Sequence, residues 1–217
     1  MVPLEVERHD RVLRLTLNRP DKRNALNLEL RVRLTEALDD AADDPEVGAV
    51  LIAAAGDHFC AGFDLGELLA APDPAAVFDE AIAYHRRVHT FPKPIVAAVA
   101  GSAVAGGFDL ALLCDLRLAA SDARFGQPQV RRGIPALFDL LANAIGDPRA
   151  RELCLTGRII DADEAQRIGL VHRVVGRDEL VDVALELATD IASLPASMTA
   201  KQRFVVEQPD LFGPAPG

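Results

Sequence analysis

The chain has 217 residues, of which 50% are apolar, 26% charged and 5% aromatic, and its net charge is −10. This profile excludes a disordered chain, a collagen and a disulfide scaffold, and the length suits one domain or a domain with a small appendage. The acidic charge argues against nucleic-acid binding, which depends on neutralising phosphates, and no basic amphipathic segment predicts membrane attachment. An anionic ligand would need local cations and backbone N–H groups.

The three cysteines, Cys60, Cys114 and Cys154, are far apart and none belongs to a CxxC motif. This predicts buried, reduced thiols and neither a disulfide framework nor a zinc site. The N-terminus lacks the basic and apolar regions of a signal peptide, and no apolar run reaches the roughly 18 residues of a membrane span. We therefore expect a cytoplasmic protein.

Strands and helices are predicted to alternate over the first half of the chain. Alternating apolar residues at 12–17 predict a half-buried strand. Asn27 has a side chain suited to a helix N-cap, and the helix that follows would end before Pro45. The apolar face of that helix is formed by Leu30, Leu34, Ala37, Leu38 and Ala41. Further strands are expected at 47–54, 95–99 and 116–119, and further helices at 74–91 and 106–113.

Helical periodicity dominates the chain after Phe138. Helices are expected at 140–145, 149–155, 162–168 and 180–191. The apolar face of the last of them would be formed by Leu180, Ala184, Leu187 and Ile191. We expect residues 1–145 to form an α/β core and residues 146–217 a helical C-terminal extension. The end of that extension, 209–217, holds three prolines and two glycines and would fray.

Two glycine-containing turns, at 59–65 and 101–110, each follow an apolar strand and precede a predicted helix. The first N–H groups of a helix lack intrahelical acceptors, so they can bind an anion or a developing oxyanion. Glycine lets the backbone approach such a ligand closely. The alternative interpretation is that both segments are simply tight strand-to-helix turns.

Six segments within residues 12–175 match known motifs in order. They are similar to RPxxxNAL at 19–27, FCAGADL at 59–65, KPxIAAVxG with GGGxEL at 93–110, CDxRxA at 114–119, FGxPEV at 125–130 and LTGRxxxAxEAxxxGLV at 155–171. Together they resemble the enoyl-CoA hydratase/isomerase (crotonase) superfamily. The resemblance implies an α/β fold of the crotonase-like (ClpP/crotonase) type, a spiral of β-β-α units followed by a C-terminal helical extension. It also implies an acyl-CoA thioester as substrate. No cofactor is expected, because coenzyme A enters as part of the substrate.

The resemblance assigns the oxyanion hole to the N–H groups of Phe63 and Gly106. Thioester chemistry at Cα or Cβ passes through an enolate, and two fixed donors on its oxygen would stabilise that charge. Position 63 is often a small residue in the family. Only the N–H of Phe63 is needed for this role, but its ring must find room.

The resemblance also assigns positions that receive coenzyme A and the acyl group. They are Lys22, Arg23, Ala25, Ala61, Phe63, Asp64, Leu65, Gly66 and Gly106. Lys22 and Arg23 would supply the positive charge that an acidic protein needs for this anion. The alternative is that both belong to a solvated turn.

The chain departs from the family pattern at the acid–base positions. Hydratases of the family have two glutamates there, and this chain has Asp109 and Gln129. Asp109 keeps a carboxylate, whereas an amide such as Gln129 can orient a proton but not exchange it. Hydration would therefore lack one of its two acid–base groups, but a single base can still move a proton between two carbons. Asp109 could alternatively cap a neighbouring turn.

Four further positions have functional alternatives. The later glycines of a family stretch are missing at 133–139, and Asp139 is a new carboxylate there. It is a reserve acid that Arg131 or Arg132 could pair with. His85 and His89 have a metal-pair spacing, but no third ligand is apparent, so we expect no metal. Ser102 is not in a GxSxG motif, which argues against a serine hydrolase.

The preferred interpretation is an acyl-CoA-processing enzyme of the enoyl-CoA hydratase/isomerase type, with Asp109 as the remaining acid/base. The rival is a catalytically impaired fatty-acyl-CoA-binding protein of the same fold. By resemblance we expect a homotrimer or a dimer of trimers. The chain is shorter than typical members, mainly after Val175, which predicts a shortened trimerisation extension and a more open site.

Overall fold

The structure is a computed structural model that describes residues 2–70 and 72–195. Its strands, in chain order, are β1 (Leu4–His9), β2 (Val12–Leu17), β3 (Ala49–Ala54), β4 (Ile95–Val99), β5 (Ser102–Val104), β6 (Leu116–Ala120), β7 (Arg124–Gly126), β8 (Ile159–Asp161) and β9 (Arg173–Val175). Its helices are α1 (Leu28–Asp43), α2 (Leu65–Ala70), α3 (Pro74–His89), α4 (Gly106–Leu113), α5 (Phe138–Ile145), α6 (Asp147–Thr156), α7 (Ala162–Arg167) and α8 (Leu180–Ala192). Short 3₁₀ turns occupy Pro20–Lys22, Pro128–Arg132 and Arg177–Glu179.

Six strands form the main sheet in the order β1-β2-β3-β4-β6-β9. Strands β1 and β2 pair antiparallel, and every other neighbouring pair is parallel. Every residue of β4 is buried, as expected of a strand covered on both faces. Strand β1 was not predicted. Only Leu4 and Val6 are apolar in its sequence, which is too short an alternation to indicate a strand, and four of its six residues are exposed.

A second sheet of three short strands lies beside the main one, in the order β5-β7-β8. Val104 at the end of β5 pairs with Gly126 at the end of β7. This pairing brings the glycine turn at 101–110 next to the segment that begins with Gln127. None of these strands was predicted, since three residues are too few to show a period.

The main sheet separates two apolar cores. Successive side chains of a strand point to opposite faces, so Val50 and Ile52 of β3 lie in one core and Leu51 lies in the other. Helices α1, α3 and α4 contribute to the first core, and α8 covers the second. Cys60 and Ala103 of the two glycine turns belong to the first core, so the turns lie on the α1–α3–α4 side of the sheet.

Helix α8 buries a narrower stripe than its sequence predicted. Its buried residues recur every four positions and are Leu180, Ala184, Ala188 and Ala192. Leu187 and Ile191, predicted on the same apolar face, are half-buried and pack against the second core. Small side chains let the helix approach the sheet closely: a Cβ on Gly48 would lie 2.8 Å from the carbonyl oxygen of Ala192.

Helix α1 has the predicted cap and apolar face. Asn27 Oδ1 accepts a hydrogen bond of 3.1 Å from the backbone N–H of Leu30, and the predicted face is buried apart from a half-buried Ala37. The helix ends at Asp43, before Pro45. Lys93 Nζ donates to the carbonyls of Ala41 and Asp44 at 2.5 and 2.6 Å, which satisfies acceptors at its C-terminal end.

The segment after residue 145 is not exclusively helical, because β8 and β9 each join a sheet. The boundary at residue 145 stays a prediction, and the fraying expected for 209–217 lies outside the described residues. Within the part of the chain that the structure describes, no helix has the length and apolar character needed to cross a membrane.

Candidate functional site

Backbone hydrogen bonds hold the two glycine-containing turns together. Cys60 N–H donates to the carbonyl of Ser102, and Val104 N–H donates to the carbonyl of Cys60, each over 3.0 Å. The 59–65 turn therefore adds an isolated bridge to β5 immediately before α4 begins. Sequence reasoning singled out both turns, and the structure places them in contact.

Two glycines, Gly107 and Gly62, permit this contact. A Cβ on Gly107 would lie 2.3 Å from the carbonyl oxygen of Cys60, and a Cβ on Gly62 would lie 3.1 Å from the nitrogen of Gly106. Gly62 also has φ of +95°, a conformation that other residues rarely adopt. A side chain at Gly107 or Gly62 would force the two turns apart.

The two N–H groups assigned to the oxyanion hole lie next to each other. A Cβ on Gly106 would lie 3.4 Å from the nitrogen of Phe63, and Gly106 is the first residue of α4. Among the described residues, neither Phe63 N–H nor Gly106 N–H has a hydrogen-bond acceptor. A pair of adjacent, unpaired donors at a helix start is suited to bind a developing oxyanion.

Ala105 precedes this helix with a strained backbone. Its φ is 51° and its ψ is −131°, a combination that is almost confined to glycine. The family motif GGGxEL has glycine at this position. The conformation is held by hydrogen bonds from Ala105 N–H to the carbonyl of Gly126, at 3.0 Å, and from Phe108 N–H to the carbonyl of Ala105, at 2.8 Å.

Asp109 and Gln129 are connected through a third side chain, Gln127. Gln127 Nε2 donates to Asp109 Oδ1 at 2.8 Å, and Gln129 Nε2 donates to Gln127 Oε1 at 2.7 Å. Gln127 is fully buried, and Gln129 is half-buried. Sequence reasoning missed Gln127 as a site residue, although it lies inside the FGxPEV-like segment.

The environment of Asp109 favours its neutral form. Burial raises its pKa to about 7, while the hydrogen bond from Gln127 acts in the opposite direction. Asp109 lies one helical turn after Gly106, so a carboxyl that titrates near neutral pH lies close to the unpaired donors. The Oε1 atom of Gln129 is buried and has no hydrogen-bond partner among the described residues.

The ring of Phe63 finds room against α4 and α3. A Cβ on Gly106 would lie 2.7 Å from its Cδ2 and Cε2 atoms, and the imidazole of His85 meets it edge to face. Arg31, which is buried, lies over the same ring. Neither Arg31 nor the contact of His85 was predicted, because both depend on how α1 and α3 pack.

The positions assigned to coenzyme A lie around the start of the 59–65 turn. Lys22 and Arg23 are exposed, and Ala61 N–H donates to the carbonyl of Arg23 at 3.0 Å. Ala25 is buried, Ala61 is half-buried, and Leu65 and Gly66 are exposed. The carboxylate of Asp64 pairs with Arg19 at 3.0 Å. Burial acts to raise the pKa of Asp64, but the contacts that lower it, chiefly those with Arg19, together act more strongly, so its pKa is lowered.

Buried Asn24 fixes this part of the chain. Its Nδ2 donates to the carbonyls of Ala55 and His58, at 2.9 and 2.7 Å, and its Oδ1 accepts from Arg19 N–H at 2.7 Å. Its φ is +53°, a left-handed value that asparagine tolerates better than most residues. The asparagine of the RPxxxNAL-like motif is thus a positioning element for the turn that carries Lys22 and Arg23.

The four alternative functional positions, Asp139, His85, His89 and Ser102, lie in α5, α3 and β5. Asp139 is exposed, and Arg131 donates to the carbonyl of Thr156 instead of pairing with it. His85 and His89 both lie on α3, and within residues 2–70 and 72–195 no group of three or more metal-ligand side chains forms. Metal independence stays a prediction. Ser102 lies in β5, and its N–H faces His58 Nδ1 at 3.3 Å.

All three cysteines are free. Cys60 and Cys114 are buried as expected, and burial raises the pKa of Cys60 to about 12. Cys154 is only half-buried, so the prediction of a buried thiol was wrong there.

Comparisons with known proteins identify the family of the chain. The enoyl-CoA hydratase/isomerase sequence profile matches residues 7–209. The chain is 41% identical over 195 residues to a probable enoyl-CoA hydratase of Mycobacterium bovis, covering 88% of this chain and 76% of that protein. It is 40% identical over 207 residues to the 2,3-dehydroadipyl-CoA hydratase of Escherichia coli, covering 93% and 81%.

A solved enoyl-CoA hydratase from Bacillus anthracis superposes with a TM-score of 0.86 at 33% identity, covering 89% of this chain and 78% of that one. The crotonase-type α/β fold is therefore confirmed. The chain belongs to the enoyl-CoA hydratase/isomerase family.

Proposed function

We propose that the protein binds an unsaturated acyl-CoA and stabilises its thioester enolate between the N–H groups of Phe63 and Gly106. The observation that carries this proposal is the pair of adjacent, unpaired donors, of which Gly106 lies one helical turn before Asp109. Each donor of an oxyanion hole typically contributes a factor of about 10²–10³ to the rate.

Asp109 is the proposed acid/base. In its ionised form it removes a proton from Cα of a 3-enoyl-CoA, and the electron pair moves onto the thioester oxygen. The protonated Asp109 then returns the proton to Cγ while the double bond moves to Cα and Cβ. A carboxyl with a pKa near 7 is suited to both steps, because its two forms are similarly populated at neutral pH.

Hydration of a 2-enoyl-CoA requires more of the site. A water must be deprotonated and Cα must be protonated, and Gln129 has no proton to exchange. Named relatives such as the enzyme of Escherichia coli are hydratases. We therefore expect hydration by this chain to be slower than isomerisation, with Asp109 as the group that handles protons.

Coenzyme A is proposed to lie along the edge formed by Lys22, Arg23, Ala25 and the 59–65 turn. The two exposed cations would contact phosphate groups, and the backbone of Ala61 to Gly66 would contact the adenine side of the ligand. No other cofactor is proposed. A homotrimer or dimer of trimers and a cytoplasmic location remain predictions.

A binding protein without turnover is the second candidate. The observation that favours it is Gln129, which forms its hydrogen bond to Gln127 and carries no proton for catalysis. In that case the site would hold acyl-CoA, and Asp109 would serve only to orient Gln127.

A turnover screen separates the two. Purified protein is incubated with 2-enoyl- and 3-enoyl-CoA esters of several chain lengths, and products are separated by chromatography. Conversion of the 3-enoyl esters supports the enzyme, with Asp109→Asn as the inactive control. Calorimetric binding of acyl-CoA without conversion supports the binding protein, and no binding would contradict both.

A further inference from the structure

The Phe63 ring stands against the residue that supplies the second oxyanion donor. A Cβ on Gly106 would lie 2.7 Å from two ring carbons of Phe63, closer than any real Cβ contact. The ring therefore fills the space directly above the Cα of Gly106. A thioester oxygen bound to the two N–H groups would lie about 3 Å from the nitrogen of Gly106. The atoms that flank this oxygen must therefore pass close to the ring.

Two side chains hold the ring from different directions. The guanidinium carbon of Arg31 lies 5.2 Å from the ring centroid, within cation–π distance. The imidazole of His85 lies 5.7 Å away with an interplanar angle of 75°, which is an edge-to-face contact. The ring thus contacts side chains of both α1 and α3.

Arg31 is itself fixed in place. Its side chain is 2% exposed and donates to the carbonyl of Leu26 at 2.7 Å, to Glu80 at 3.1 Å and to Glu67 at 3.3 Å. These bonds tie the end of the 19–27 segment, α2 and α3 to one guanidinium. Movement of the Phe63 ring away from Gly106 would disturb this buried group.

His85, unlike Arg31, brings no charge to the Phe63 ring. Burial, with the nearby charge of Arg31, lowers the pKa of His85 to about 4, so the imidazole is neutral at pH 7. A neutral ring packs against Phe63 as an aromatic surface. The surface beside the oxyanion donors is therefore the apolar Phe63 ring, which is backed by the Arg31 guanidinium and a neutral imidazole.

We infer that Phe63 is a specificity-determining residue whose ring limits the size of the acyl group that fits beside the thioester. This inference rests on the proposed function, because it assumes that an acyl-CoA binds at the two donors. The backbone of Phe63 would contribute to catalysis, and its side chain would select short, unbranched acyl groups. A ring held by Arg31 and His85 excludes larger groups, since accommodating them requires breaking the contacts of a buried cation.

The test compares Phe63→Ala and Phe63→Leu with the unmodified protein. Affinities for free coenzyme A, butyryl-CoA and decanoyl-CoA are measured by calorimetry, which needs no turnover. Phe63→Ala is expected to raise the preference for decanoyl-CoA over butyryl-CoA by about tenfold or more, with Phe63→Leu intermediate. Val32→Ala, which shortens an exposed apolar side chain on α1, serves as the control and should leave the preference unchanged.

The outcomes separate the two proposals. An unchanged preference in variants that bind acyl-CoA would overturn the size limit and leave the proposed function intact. An equal change for free coenzyme A and both esters would place the ring beside the coenzyme and would also overturn it. Failure of the unmodified protein to bind any acyl-CoA would overturn both.

A double substitution checks the ring position without any ligand. Gly106→Ala places a methyl group against the ring, so it should lower the midpoint of thermal unfolding. In the Phe63→Ala background the same substitution should cost much less. An equal loss in both backgrounds would show that the ring does not occupy this space and would contradict the inference.

Discussion

Gln127 donates a hydrogen bond from Nε2 to Asp109 Oδ1 across 2.8 Å, and both side chains are buried. Because Gln127 Oε1 accepts from Gln129, its amide can present only N–H to Asp109 in this arrangement. Gln129 therefore orients the proposed base indirectly, although it cannot itself exchange a proton. Gln129, at the second acid position, supplies no exchangeable proton, but it keeps a hydrogen-bond connection to Asp109 through Gln127.

Burial of Asp109 should have a measurable effect on stability. Its folded-state pKa is about 7 and its ordinary value is 3.8, so the folded protein holds this proton more tightly than the unfolded chain. The contribution of Asp109 to stability is complete below pH about 3.8 and is lost as the pH rises through 7. Asp109→Asn should therefore raise the midpoint of thermal unfolding at pH 8 by at least about 2 °C, with a smaller effect at pH 5.

Asp139→Asn is the matched control for this comparison, because that carboxylate is exposed. Its substitution should change the midpoint little at either pH. A stabilisation by Asp109→Asn that is equal at pH 5 and pH 8 would show that the carboxyl is not titrating near 7.

Gln129→Glu should increase hydration of crotonyl-CoA. The new carboxyl can exchange a proton, so water activation and Cα protonation can be divided between two groups, with an expected gain of about 10² or more. Gln127 Oε1 accepts the hydrogen bond from position 129. The new carboxyl must therefore be protonated to donate this bond, or the amide of Gln127 must flip so that its N–H faces position 129. Its titration should consequently be coupled to that of Asp109.

The rate of hydration at several pH values measures this effect, and Gln129→Met is the control of similar size without an ionisable group. No gain from Gln129→Glu above the rate of the unmodified protein would mean that the site lacks a position for the attacking water.

Ala105→Gly should stabilise the protein. The φ of 51° and ψ of −131° at this position strain any residue with a Cβ, and relief of that strain is expected to contribute about 1 kcal/mol. For a chain of this size the unfolding midpoint should rise by roughly 2–4 °C. Ala103→Gly, at a buried position of β5, is the control and should destabilise. A lower midpoint for Ala105→Gly would contradict the strain.

Removal of both exposed cations should weaken binding of coenzyme A esters. Lys22→Gln with Arg23→Gln should raise KM by about three- to tenfold and leave kcat nearly unchanged, since these groups contact the ligand equally in the ground state and the transition state. The difference should shrink at high salt. Arg149→Gln, an exposed cation on α6, is the control. Equal KM values for the double variant and the unmodified protein at low salt would show that Lys22 and Arg23 do not contact coenzyme A.

The sequence predicted the long, regular elements well. Helix α1 has its cap at Asn27 and its apolar face as expected, and the strands at 49–54 and 95–99 follow from continuous apolar runs. These features are local, so a window of about ten residues contains the information. The three-residue strands β5, β7, β8 and β9 carry no period and were missed.

The sequence predicted part of the site, namely the two glycine turns and the residues assigned by the family motifs. Gln127 was missed because its partner Asp109 lies 18 residues earlier in the chain, and only the pairing of β5 with β7 brings them together. Arg31 reads as an ordinary surface residue of an amphipathic helix. Its burial depends on Glu67 and Glu80, from two other helices, which no local pattern reveals.

The measurement that tests the central claim most directly is the pH dependence of kcat/KM for a 3-enoyl-CoA, in the unmodified protein and in Asp109→Asn. The unmodified protein should convert the ester with a rate that rises with pH and levels off above about 7, because the ionised carboxylate removes the proton. Asp109→Asn should lose a factor of about 10² or more in rate while its affinity for acyl-CoA stays the same. Equal activity of the two proteins, or acyl-CoA binding without conversion at any pH, would contradict the account.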